Sequence, residues 1–407
     1  IFRQMLITPA YVFPAVYSDG TIATFKQERD SNMRNPYNML MNSGYAKEWR
    51  SGIQSTIRLE QKLDFITEGL YYRGLVSYDY NGNFNSRRSY DPSRYFAEGR
   101  DVDGKLIFSR TYAGSGNMGD PSESSNADKK IYMESAINYK RSFGEHSTEG
   151  MLLYMQKETQ LNTEALAFRK QGLVGRLSYS YDKKYFIEGN FGYTGSEAFA
   201  KGYRYGFFPA VGIGYQISNE NFYPQALKQY LNTVRLRASM GRTGNDNTGT
   251  SRFLYRPTFN LGAGGFNQGI TSGGGSNGLG NGVVEGQFEA PFLSWEIEDK
   301  QNYGVNLGLF GGKVEIVADY FNSERSGILL QRRTVPGSVG FRTAPWQNYG
   351  KVKNWGIDGS LNVNEQFNDF KVGFRSTFTF ARNKITEYDE LPQPHSWMEV
   401  TGTRVNE

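Results

Sequence analysis

The sequence predicts an all-β fold: an antiparallel β-barrel that spans a membrane and carries long loops on one side. Three observations predict it. Apolar and polar residues alternate with a period of two in about a dozen segments, the period at which strand side chains point to opposite faces. Most of these runs are 10–13 residues long, against roughly 5–6 for an ordinary globular strand and about 9–11 for a tilted strand crossing a bilayer. The connections between them alternate short and long, as in outer-membrane barrels, which have tight turns on the periplasmic side and long loops outside.

Strands are expected near 53–65, 69–80, 131–142, 147–159, 171–181, 184–195, 206–217, 233–241, 298–309, 313–323, 353–364 and 370–383. In the second, Leu70, Tyr72, Gly74, Val76, Tyr78 and Tyr80 oppose Tyr71, Arg73, Leu75, Ser77 and Asp79. In the sixth, Tyr185, Ile187, Gly189, Phe191 and Tyr193 oppose Phe186, Glu188, Asn190, Gly192 and Thr194. The eighth sets Val234, Leu236, Ala238 and Met240 against Arg235, Arg237 and Ser239, and the last two place Ile357 and Phe374 opposite in parity to Asp358 and Arg375. "ITEG", "GEHS", "DKK", "GG" and "EQFND" are the short connections; 81–130, 160–170, 196–205, 242–297 and 324–352 are the long ones, with 218–232 intermediate.

A soluble sandwich would show the same alternation, but it has no reason to send every second connection far out, and loops beyond about 15 residues are uncommon in compact domains. The polar parity also carries Arg73, Asp79, Glu134, Glu188, Arg235, Arg237, Asp319, Asp358 and Arg375. Charges at that density in a sandwich core would be costly, whereas a wide barrel turns them to a wet or plugged lumen. Arg73, Asp79, Glu188, Arg235, Arg237, Asp358 and Arg375 are therefore expected to face the lumen, and Ile357 and Phe374 the lipid.

Composition narrows the function classes. The 407 residues include no cysteine, so disulfides and thiolate metal sites are excluded. The net charge is only +5 and no dense Lys/Arg run exists, so nucleic acid is not an expected partner. No run approaches the 18 apolar residues of a membrane helix, which says nothing against membrane strands. The opening "IFRQMLITPA" has no initiator Met, basic n-region or apolar h-region, so no signal peptide is visible in it; either one was removed or the chain is a fragment.

The candidate chemical motifs read as structure. "GAGGFNQGITSGGGSNGLGNG" (262–282) lacks the lysine and flanking elements of a phosphate loop and reads as a flexible loop. "DVDGK" (101–105) lacks the third acid and closing glutamate of a calcium loop and reads as a turn. The two histidines, His146 and His395, fall in a turn and near the end of the chain, so no catalytic residue, cofactor site or metal site is assigned. Rings in the first segment and the loops are the candidates for stacking on a substrate: Tyr11, Phe13, Tyr90, Tyr95, Phe96 and Trp346.

"GLVGRLSYSYDKKYFIEGNFGYTGSEAFAKGYRYGFFPAVGIGYQIS" (172–218) resembles the central signature of SusC/RagA-type TonB-dependent outer-membrane transporters: Gly195, Ser196, Glu197 and Phe199, then Gly202 and Arg204, then Gly206 to Ala210. "VRLRASMGRTGND" (234–246), "LSWEIEDKQNYGVNLGLFGGKVEIVADYF" (293–321) and "NYGKVKNWGIDGSLNV" (348–363) resemble further pieces in the family's order. "NPYNMLMNSGY" (35–45) and "GLYYRGLVSYDY" (69–80) fit the earlier barrel.

The resemblance implies a plugged barrel of roughly 22 strands. About twelve are here, so 1–407 is expected to be part of a single barrel domain, with the plug domain and terminal strands outside it. It also implies TonB-dependent active import of large oligomers, glycans or peptides, without covalent catalysis or a cofactor. The implied place is the outer membrane of a Gram-negative bacterium, in contact with its lipid. The implied partners are a SusD-like surface lipoprotein and the TonB complex, the latter through an N-terminal region, with pairing to a second transporter–lipoprotein copy left open. The alternative class is a passive porin or adhesin barrel.

Overall fold

The computed structural model describes residues 2–9, 11–26, 34–249, 252–264, 267–270, 276–278 and 282–405, with 267–270 and 276–278 as backbone only. In chain order the elements are α1 (Phe2–Ile7), α2 (Pro36–Met41), β1 (Gly44–Lys62), β2 (Leu70–Ser89), β3 (Arg94–Arg100), β4 (Leu106–Tyr112), β5 (Ser122–Phe143), β6 (His146–Gln160), β7 (Phe168–Tyr181), β8 (Tyr185–Ser196), β9 (Tyr205–Gln216), α3 (Gln225–Lys228) and β10 (Leu231–Asn245). There follow β11 (Phe259–Ala263), β12 (Asn267–Ile270), β13 (Ser276–Gly278), β14 (Gly282–Glu285), β15 (Glu296–Leu309), β16 (Val314–Gln331), β17 (Trp346–Phe367) and β18 (Phe370–Glu387).

Two units are compact in themselves. One comprises residues 1–55, 78–130 and 160–166; the other comprises 56–77, 131–159 and 167–407. The second contains residues of all twelve strands of a single sheet, ordered β1-β2-β5-β6-β7-β8-β9-β10-β15-β16-β17-β18. Every strand pairs with its neighbour along the chain once the loop strands β3–β4 and β11–β14 are set aside. These are the twelve strands expected from the alternation. Their pairing is antiparallel and unbroken in register over long stretches, such as Lys170↔Ser196 through Tyr181↔Tyr185 and Ile297↔Ser326 through Leu309↔Val314.

Several strands outrun the expected bounds at the ends joined by long connections. β2 continues to Ser89, β5 begins at Ser122, β16 continues to Gln331 and β17 begins at Trp346. The added stretches, such as "SESSNADKK" (122–130), are polar on both parities and mostly exposed. A strand end in water needs backbone pairing but no apolar face, so it leaves no alternation to read. Of the glycine-rich run, residues 265–266, 271–275 and 279–281 lie outside the described residues, while β12 and β13 pair with each other. "DVDGK" is the tip of the β3–β4 hairpin in the first unit, where the Asp101 carboxylate accepts from the amides of Asp103 at 3.0 Å and Lys105 at 2.8 Å.

The sheet buries little of its apolar face. Ile213 is 58% exposed, Ile357 50%, Phe374 57% and Phe378 63%, all on one parity. A soluble domain does not leave such a face open. Rings stack at two levels of it: Tyr185 on Tyr215 (centroids 5.2 Å apart) and Tyr193 on Tyr205 (5.1 Å). Tyr185 and Tyr193 lie eight residues apart on β8, about 26 Å of strand, or about 20 Å along a barrel axis at the usual tilt. That is close to the roughly 25 Å apolar band, flanked by aromatic girdles, of an outer-membrane barrel.

The buried apolar cluster of the second unit lies outside this face. It comprises Phe199, Leu254, Ala290, Leu293 and Trp295, packed on by Ala198, Phe208, Ile297, Leu329 and Trp346. Beyond β18, buried Asp389 accepts from Arg332 Nε at 2.8 Å, from the Thr334 amide at 3.0 Å and from its hydroxyl at 2.8 Å, which ties the 332–345 connection down. Burial alone would raise this carboxyl's pKa, but the Thr334 and Arg332 hydrogen bonds outweigh it and hold the group below the usual carboxylate range. A depressed folded pKa stabilises fully above the unfolded value, and that stability is lost as pH falls through the folded value. Exchange of the Thr334 amide, corrected for its intrinsic rate, is therefore expected to be slow at neutral pH and to accelerate below about pH 4. Asp389→Asn should show the fast rate already at neutral pH.

Candidate functional site

The polar face of the sheet is a network of charge-assisted hydrogen bonds. Arg237 on β10 donates through Nε to Asn306 Oδ1 (2.7 Å) and through one terminal nitrogen to both Asp319 oxygens (3.1 and 3.0 Å). These residues sit on β10, β15 and β16, so the Arg237–Asp319 bond crosses a whole strand. Gly304, the register partner of both, makes that possible. A Cβ there would lie 2.3 Å from Asp319 Oδ1 and 2.7 Å from an Arg237 nitrogen. Asp358 is the register partner of Asp319 on β17, and Arg375 that of Asn362 on β18.

Arg235, Glu188, Arg73 and Glu134, also expected on the polar face, find partners. Arg235 donates to Gln216 Oε1 at 2.6 Å and its guanidinium lies 5.1 Å from the Phe186 ring centroid. Glu188 accepts from Arg176 at 2.7 Å, and Glu134 receives Arg73 at 3.3 Å and the Tyr132 hydroxyl at 2.8 Å. Asp79 falls in the first unit, half-buried on β2. Between Glu188 and Asn190 on one side and Arg235, Arg237 and Lys300 on the other lies a cleft of about 1070 Å³, with Ala210, Gly212, Gly214 and Gly241 among its lining residues. Such a surface can hold a polar chain through many exchangeable hydrogen bonds.

The expected stacking rings are divided between the units. In the first, Tyr11 is 89% exposed, while Phe13 and Tyr90 are half-buried. Tyr95 is held by backbone bonds to Ile22 and Thr24, and Phe96 lies under Lys26 at 5.7 Å. In the second, the Trp346 ring packs against the buried cluster.

Periodicity missed a hub built from the 195–210 stretch. Ser196 Oγ donates to Asp246 Oδ2 and Lys170 Nζ to Asp246 Oδ1, both at 2.6 Å, and Glu197 pairs with Arg252. Arg204 donates to the Phe199 carbonyl at 3.1 Å and its own carbonyl accepts from Trp295 Nε1 at 3.0 Å. Phe208 lies edge-on to Trp295 at 5.1 Å and fills the space over Gly244, where a Cβ would come within 2.1 Å of its ring. Asn348 bonds the Ser294 amide and carbonyl and the Gly327 carbonyl. The stretch thus anchors the 242–297 connection to β7, β8 and β17. The signal for it was the string Ser196, Glu197, Phe199, Arg204 and Gly206–Ala210 itself, not any alternation.

A sheet with one lipid-type apolar face, one hydrogen-bonding polar face and long connections at one end is the wall of a membrane barrel. Residues 6–406 match the family described as TonB dependent receptor-like, beta-barrel, and the chain belongs to it. It is 31% identical over 233 residues to TonB-dependent receptor P39 of Formosa agariphila, covering 56% of this chain and 20% of that protein. It is 28% identical over 232 residues to the TonB-dependent receptor SusC of Bacteroides thetaiotaomicron, covering 52% and 20%. The chain thus matches only about a fifth of the length of these relatives. Among solved structures, the RagAB peptide importer in its open-open state superposes with a TM-score of 0.65 at 18% identity, over 89% of this chain and 39% of that one. That likeness concerns the fold.

Proposed function

We propose that the protein to which this chain contributes imports oligomeric nutrients, glycans or peptides, across the outer membrane of a Gram-negative bacterium, driven by TonB and covered by a SusD-like lipoprotein. The observation that carries the reading is the polar face. Arginine–carboxylate and arginine–amide bonds on this face, with Glu188, Arg235 and Arg237 lining a cleft of about 1070 Å³, suit a lumen that polar chains pass, and a membrane protein does not keep such a face toward lipid. The SusC relative and the RagAB importer support the class. In this reading Arg73, Asp79, Glu188, Arg235, Arg237, Asp358 and Arg375 face the lumen. Tyr11, Phe13, Tyr90, Tyr95 and Phe96 present rings to the incoming oligomer, and Trp346 packs on the hub of the second unit. Phe292, 75% exposed in the second unit, offers apolar area for the lid. TonB would act through a plug encoded ahead of this region.

The test uses the full-length protein in its native cells. A deletion strain is expected to lose growth on one defined class, glycan oligomers or peptides, supplied as sole nutrient, and mild extraction is expected to bring down a lipoprotein at equal abundance. Normal growth on both classes, together with a barrel that emerges alone, would refute the proposal.

A further inference from the structure

The apolar face of the sheet is not evenly filled. A groove of about 830 Å³ runs across β8, β9, β10, β15, β16 and β17, and nearly everything exposed in it is apolar. Its walls are two ring pairs: Tyr185 on Tyr215, and Tyr303 on Tyr320 with centroids 6.5 Å apart. Two side chains along it are only methyls, Ala238 and Ala318. Larger apolar side chains of the same parity, Ile213, Leu236 and Ile357, line it beside them, so the trough lies over these small residues between fixed rings. The first pair is held from outside the sheet, because Glu220 accepts from both hydroxyls, at 2.5 Å from Tyr185 and 3.2 Å from Tyr215. The groove therefore exists before anything occupies it, which lowers the entropic cost of filling it.

We infer that this groove holds one acyl chain of a glycerophospholipid as a retained lipid rather than a freely exchanging neighbour. The occupant follows from position. The groove is continuous with the half-exposed apolar band that carries Ile213 and Ile357, so what covers the band also fills the trough. Its Tyr185–Tyr215 end adjoins the tight turn after β7, where Asp182 and Lys183 both take left-handed φ of 49° and 50°. Short turns mark the periplasmic side, where the leaflet is phospholipid. The tyrosine hydroxyls stand at the level where an acyl chain meets its ester and headgroup, the depth at which amphipathic rings anchor. This rests on the sidedness read from the turns, which cysteine labelling tests separately.

The experiment is native mass spectrometry of the full-length protein extracted from its own membranes in mild detergent. One phospholipid per protein is expected after the detergent is stripped. Ala238→Phe and, independently, Ala318→Leu should each lower the retained fraction about tenfold, equivalent to about 1.4 kcal/mol. Leu177→Phe, on the same face outside the groove, should leave it unchanged. Gel-shift heat modifiability confirms that each variant forms a barrel, and with two independent fillings a single failure to fold leaves the other decisive. Retention of lipopolysaccharide instead, of detergent only, of a second copy of the protein, or of equal phospholipid in the filled variants would each overturn the assignment.

Discussion

Phe374→Arg in the full-length protein is expected to block barrel assembly almost completely, while Arg375→Ala, its immediate neighbour, is expected to be nearly silent. Phe374 lies on β18 opposite Val363 and is 57% exposed on the apolar face. It stands four residues beyond the β17–β18 turn, about 13 Å of strand and so near the middle of the apolar band. Arginine at such a position costs about 2–4 kcal/mol. Arg375 points to the other face, with Asn362 as its register partner. Its removal strands no buried countercharge, and an exposed charge of this kind contributes within about 1 kcal/mol. Heat-modifiable migration of the membrane fraction reads both variants. If Arg375→Ala assembled worse than Phe374→Arg, the parity of β18 would be reversed.

Trp295→Ala should release the 242–297 connection without unfolding the sheet. The ring is 6% exposed, contacts Phe199 and Phe208, and donates to the Arg204 carbonyl. Truncating a buried tryptophan costs about 3–5 kcal/mol, and here it also removes one of the two hydrogen bonds to the Arg204 carbonyl, which keeps the Ser196 amide at 3.0 Å. The loss is local, because the buried residues Phe199, Leu254, Ala290 and Leu293 lie in connections and pack only on the ends of strands, whose backbone pairing they do not make. Trypsin is expected to cut near Arg252 and Arg256 far faster than in the unsubstituted protein, with heat modifiability retained. Trp295→Phe should lie between, and Trp397→Ala, at 76% exposure, should change nothing. Equal protection of the loop in Trp295→Ala would mean that the cluster does not hold it.

The two variants also mark what was legible in the sequence. All twelve strands of the sheet were readable because a membrane strand must keep one parity apolar over its whole crossing, so Phe374 and Arg375 can be told apart by counting. The water-exposed ends of β2, β5, β16 and β17 were not, since "SESSNADKK" satisfies pairing with no parity rule at all. The hub was invisible to periodicity for a different reason. Asp246 meets Lys170 across 76 positions and Asn348 meets Ser294 across 54. The resemblance of the 172–218 stretch singled out residues of that hub, but their packing role appears only with Trp295 and Asp246 in place. Gly304 reads as one more polar-parity glycine until the register sets it between Arg237 and Asp319.

Sidedness tests the central claim most directly, that this chain forms the wall of an outer-membrane barrel with its long connections outside. The native chain has no cysteine, so single introduced thiols report cleanly. Val102 caps the β3–β4 hairpin within the long 90–121 connection and is fully exposed, and Lys183 lies in the tight turn between β7 and β8. Val102→Cys and Lys183→Cys are made in the full-length protein, and intact cells are treated with a membrane-impermeant maleimide. The account predicts labelling of the Val102→Cys protein on whole cells, and of the Lys183→Cys protein only after the outer membrane is opened. Labelling of both on intact cells, or of Lys183→Cys alone, would contradict it.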